Sequence, residues 1–288
     1  MTTVDTISYE SRMRPRVGVI SAVAGVALFA AAALQSAGPQ PTVNEVTVQL
    51  LVTNRRGSLE VLGAVINAVG IIGLALTLAF LFTAARARRP EMSQGAWFTA
   101  LVGGALAAVG GIGYGALLTI KAHDFATHGT QSFPQANSLL STPIVAVLQY
   151  AGLIGSLLLA VAFVLVSLNA MRVGLLTKFV GYLGIAAAAA SLLLIGSAPA
   201  LLIEVFWLLV VAYLLSGRWP NGDPPAWRTG QAEPWPSAAD ARQQRMSAAN
   251  GRGRGAAKPS PEPRREPVAA AAGGTRATTP KRKRKRRK

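Results

Sequence analysis

Residues 144–168 read IVAVLQYAGLIGSLLLAVAFVLVSL, 25 positions without a single charge. About 20 residues of helix span a hydrocarbon core of roughly 30 Å, so this stretch is long enough to cross a bilayer. A helix that is apolar all round has no polar face to turn toward water, which argues against a soluble all-α core.

Five more stretches read the same way, at residues 17–34, 62–84, 96–120, 175–195 and 201–215. The last is the shortest, and Pro199 before it marks a tight hairpin. The expected fold class is an all-α polytopic membrane helix bundle with six transmembrane helices and a disordered basic C-terminal tail. Its expected divisions are a cytoplasmic segment at 1–16, a six-helix domain at 17–217, a Trp/Pro-rich interfacial segment at 218–238 and the tail at 239–288.

Charge is segregated in the same way. The whole chain carries 29 Lys+Arg against 12 Asp+Glu, a net +17, yet is 51% hydrophobic and only 14% charged. So few charges leave too little polar surface to cover a soluble globule. From Arg218 onward there are 18 basic and 5 acidic residues, while the preceding 217 residues hold 11 and 7. Cysteine is absent, which excludes disulfides, thiolate metal sites and thiol nucleophiles. The abundance of Ala, Gly, Arg and Pro points to a bacterial chain.

Basic residues in short loops set orientation. One side of the bundle collects Arg12, Arg14, Arg16, Arg86, Arg88, Arg89, Arg172 and Lys178; the other has Arg55, Arg56 and Lys121. Both termini are therefore expected in the cytoplasm of a bacterium, with the bundle in its plasma membrane. Arg12, Arg14 and Arg16 before an apolar run also describe a secretory signal peptide. However, Gln35 stands three residues before a cut after Ala37, where a small residue is wanted, so the first stretch is read as an uncleaved helix.

The first external loop contains VTVQLLVTN, residues 46–54, with apolar Val46, Val48, Leu50 and Val52. Period-two alternation predicts a short extended or interfacial segment, with an irregular loop on the headgroups as the alternative.

Within the third stretch, Gly103, Ala107, Gly111 and Gly115 are spaced by four. Small residues in line let another helix backbone approach closely, here within the bundle or between copies. Glu204, four residues into the sixth stretch, is the candidate ion or proton site, because a charge near the centre of a membrane helix costs at least about 2.5 kcal/mol. Lys178 lies near the opposite face and is a poor partner for it. Asn67 and Gln149 are candidates for hydrogen bonds between helices.

His123, Asp124 and His128 share the third loop. Two imidazoles and a carboxylate fall short of the four ligands of a structural zinc site, so neither a metal nor a cofactor is implied. No nucleotide-binding glycine motif, GxSxG elbow or HExxH is present, so no catalytic residue is expected.

After the sixth stretch, Arg218 and Trp219 are placed as interface anchors, indole at the headgroups and guanidinium among phosphates. Trp227 and Trp235 either lie on that interface or fold back on the bundle. The chain then becomes too poor in large apolar residues to fold. It ends in KRKRKRRK: Lys281, Arg282, Lys283, Arg284, Lys285, Arg286, Arg287 and Lys288. Each such residue near an anionic membrane contributes about 1 kcal/mol, so lipid headgroups or an acidic protein are its expected partners, ahead of nucleic acid.

Two stretches carry a resemblance: SLNAMRVGLLTKFVGYLG, residues 167–184, and FWLLVVAYLLSGRWPNGDPPAWRTGQAEPWPS, residues 206–237. Together they resemble a group of uncharacterised six-span integral membrane proteins of actinobacteria, which share the Gly-Leu-Leu turn and the Trp-Pro-rich exit. The resemblance implies an integral membrane location and carries no catalytic residues. The functional expectation is a non-enzymatic interaction or envelope-associated scaffold. A small transporter or channel using Glu204 is the alternative, and an intramembrane enzyme comes third.

Overall fold

The computed structural model describes residues 3–38, 40, 45–193, 198–220, 222–235, 242–243 and 246–247. The elements among them are helices: α1 (Thr3–Ser36), α2 (Val46–Arg56), α3 (Ser58–Arg88), α4 (Gly95–Thr127), α5 (Phe133–Leu140), α6 (Pro143–Arg172), α7 (Lys178–Leu193), α8 (Ala198–Leu215) and α9 (Pro225–Thr229). No strand occurs among the described residues. Residues from Pro236 on form a separate unit, and the KRKRKRRK ending lies outside the described residues.

α1, α3, α4 and α6 are long and apolar enough to cross a membrane. α7 and α8 are apolar but shorter, with 16 and 18 residues, about 24 and 27 Å at 1.5 Å per residue. These six close into a ring in chain order. α1 packs on α3, α3 on α4, α4 on α6, α6 on α7 and α7 on α8, and α8 returns to α1. Large apolar side chains such as Val19, Val26, Val109, Val161 and Phe179 are exposed on the outside. A surface so apolar suits lipid, and the bundle is compatible with a membrane-embedded protein.

The closest seam is α4 on α6, where small residues bring the backbones together. A Cβ on Gly103 would stand 2.7 Å from the Leu159 amide nitrogen, and one on Gly155 would run into the Ala107 backbone. On the other side of the ring, Trp207 is fully buried, edge-on to Phe163 with centroids 4.5 Å apart. Its indole N–H donates to the Val180 carbonyl at 3.0 Å, so the ring is buried without an orphaned donor.

The alternating 46–54 stretch is neither extended nor irregular but helical, as part of α2. Its alternation contains an i,i+4 pair, Val46 and Leu50, and a helix pairs its interior backbone groups within the segment. α4 decides the matter: it runs past the bundle and offers Ala122 and Phe125, against which Leu50 and Ala136 of α5 form a small separate core.

Candidate functional site

Inside the ring lies a cavity of about 820 Å³ to which all six apolar helices contribute. Leu28 comes from α1, Ile71 from α3, Ala107 from α4, Phe163 from α6, Ser191 from α7 and Glu204 from α8. The cavity occupies the end of the bundle where α1 and α7 finish and α3 and α8 begin. It reaches the exposed Gln35, Ser36 and Gln40 there. Its deep wall is apolar, with Leu74, Leu159 and Phe163, while Asn67, Ser156 and Ser191 supply polar groups.

Glu204 is the acidic residue of this lining. Glu204 shares a face of α8 with the buried Trp207 and Leu208, three and four residues on, which turns its side chain into the ring, where the Ser191 hydroxyl donates to it at 3.4 Å. The same hydroxyl donates at 2.9 Å to the Ala187 carbonyl, so its hold on the carboxylate is shared. Glu204 makes no ion pair among the described residues. A mostly apolar hollow with a few convergent polar groups and one carboxylate is the form of a small-molecule site.

The other end is closed by the exit segment. Trp227, in α9, is folded back and buried at 4% exposure, stacked on Phe80 with centroids 6.0 Å apart. Its indole N–H donates to the Leu175 carbonyl at 3.0 Å. Two guanidiniums lie over its ring, Arg14 at 4.7 Å and Arg88 at 5.2 Å from the centroid. Arg14 is held by both carboxylate oxygens of Asp223 at 3.0 Å, and Arg88 by Glu10 at 2.6 and 2.7 Å. Arg88 also donates to the Ala226 carbonyl at 2.7 Å.

The Gly-Leu-Leu turn sits against the same segment. Gly174 has φ +82° and lies so close to the Glu233 carbonyl that a Cβ would collide with it. Leu175 and Leu176 are fully buried, and the Glu233 N–H donates to the Val173 carbonyl at 3.2 Å. The stretches at residues 167–184 and 206–237 thus touch each other.

Of the small-residue line, Gly103 and Ala107 are buried against α6 and a Cβ on Gly115 would stand 3.1 Å from that of Ala64 in α3, whereas one on Gly111 would meet nothing within 4 Å. The seam's partner glycines, Gly152 and Gly155 of α6, show in sequence only as a small-residue pair three apart. Arg218 is exposed, and Trp219 is half-buried, tilted against Tyr213 at 6.0 Å. Asn67 lines the cavity while Gln149 is exposed, so the two do not form a common polar group. His123 contacts the Asn54 amide oxygen at 3.3 Å and His128 the Asp124 carboxylate at 3.3 Å, two separate contacts. No group that would hold a metal ion occurs among the described residues.

Comparison with protein-family models, with curated proteins and with solved structures finds no match.

Proposed function

We propose that this chain is a six-span carrier of the bacterial plasma membrane, with both termini cytoplasmic. It takes a small amphiphile bearing a cationic head into the cavity inside the helix ring. One observation carries this reading: six apolar helices converge on one hollow, and its acidic side chain, Glu204, has no cation of its own among the described residues. An apolar tail fits beside Leu74, Leu159 and Phe163, and the carboxylate supplies the charge that a cationic head lacks in hydrocarbon. The membership of α7 and α8 in the ring supports six spans, and the collection of arginines at the opposite end supports the orientation. The cavity around Glu204 favours the transport alternative over the expected scaffold. The tail is assigned an auxiliary contact with anionic headgroups.

The test is binding of alkyltrimethylammonium ions of increasing chain length to the purified full-length protein. Affinity rises with chain length, and Glu204→Gln weakens it at least roughly ten-fold, about 1.4 kcal/mol. Equal binding by Glu204→Gln, or none at any chain length, sinks the proposal.

A further inference from the structure

Four of the arginines at the exit-segment end fall into two kinds. Arg14 and Arg88 are consumed, each gripped by a carboxylate and covered by Trp227. Arg89, just after α3, and Arg172, the last residue of α6, are left over. They come from different elements, yet both line one hollow of about 530 Å³ beside the start of α4. The Arg172 side chain makes no ion pair or hydrogen bond among the described residues. Arg89 has only a loose partner, Glu91, 3.8 Å away, with both side chains more than half exposed. The remaining wall combines an apolar part, with Phe82, Met92 and Leu165, and polar Ser93, Thr99 and Asn169.

We propose that this hollow is a second site, one that holds the phosphate-bearing headgroup of an anionic membrane lipid. Two guanidiniums offer planar donor forks that match phosphate oxygens in pairs. Their placement at the end of the apolar helices sets the phosphate at headgroup level, and Phe82, Met92 and Leu165 receive the glycerol and the first chain carbons. A soluble phosphate ester would have no use for that apolar wall. Glu91 is the internal competitor: its carboxylate partly neutralises Arg89 and swings to solvent when a phosphate enters. The site depends on the bundle lying in a membrane and is independent of what the Glu204 cavity takes.

Phosphatidylglycerol is titrated into the full-length protein in neutral-detergent micelles, with bound lipids counted by native mass spectrometry and phosphatidylcholine as the comparison. Phosphatidylglycerol is retained preferentially, and the double variant Arg89→Gln/Arg172→Gln loses one tightly held lipid per chain, a drop in affinity of roughly ten-fold or more. The basic tail is unchanged in that variant, so lipid bound there remains as a constant background. Arg89→Lys/Arg172→Lys retains part of the binding, since charge survives without the forks. Glu91→Gln tightens it, an outcome of opposite sign in a side chain that supports no packing. Equal lipid retention by the double Gln variant overturns the site, as does Glu91→Gln without tightening. Displacement of the lipid by inorganic phosphate at matching concentration overturns the assignment to lipid.

Discussion

Arg88 and Glu10 form a two-pronged ion pair with N···O distances of 2.6 and 2.7 Å, and the two side chains are 0% and 5% exposed. The pair joins the last turn of α3 to the early part of α1, and the Ala226 carbonyl adds α9 to the same guanidinium. Removing one member of a buried pair strands the other without water, which costs about 3–5 kcal/mol. Glu10→Gln and Arg88→Ala are each expected to lower the unfolding midpoint in detergent strongly. The combined variant Glu10→Gln/Arg88→Ala is expected to cost less than the sum of its parts. Additive losses in that double-mutant cycle would show that the two side chains act separately.

Gly174 tests whether the turn and the exit segment are one unit. With φ +82° and the Glu233 carbonyl where a Cβ would stand, Gly174→Ala combines backbone strain with a collision. Such strain costs about 1–3 kcal/mol. Trypsin is expected to cut after Arg228 faster in this variant, and an unchanged cleavage rate would separate the turn from the segment.

The α4–α6 seam makes a contrast within one helix. Gly103→Leu drives a side chain into the Leu159 backbone, while Gly111→Leu meets open space. Overpacking of this kind costs about 1–3 kcal/mol, so the first variant is expected to lose stability and the second to retain it. Equal thermal midpoints for the two would contradict the seam.

Leu50 carries the docking of α2. It is 1% exposed, in the small core with Ala122, Phe125 and Ala136. Leu50→Ala removes about 2 kcal/mol or more of packing. Faster hydrogen exchange is expected at residues 46–56, with the exchange of α6 unchanged. Exchange that accelerates equally in both places would merge the two cores.

Much of the architecture is legible in the sequence, because the cost of exposing apolar helix faces to water depends on composition alone. The stretch at residues 144–168 needs no partner to be read as a helix, and α6 spans Pro143–Arg172. The alternating Val46–Val52 run is different: it contains both a strand period and a helical i,i+4 pair, and only Phe125 and Ala122 from α4 choose between them. Arg14 and Arg88 look like any other orienting arginines until Asp223 and Glu10, 209 and 78 residues away, are seen to hold them. No local pattern signals such pairs.

Glu204 stands out in sequence as a lone acid in an apolar helix, and Gly103 and Ala107 as small residues in register. The sequence by itself determined that much, together with the helices, the segregation of charge and the absence of cysteine chemistry, since each follows from residue type and spacing. Only the tertiary structure decided that the helices close into a ring, that Glu204 faces a shared cavity with Ser191, and that Trp227 lies beneath two arginines. Those outcomes depend on which faces meet, and apolar side chains packed in hydrocarbon are interchangeable until shape and the few buried polar pairs select among the arrangements.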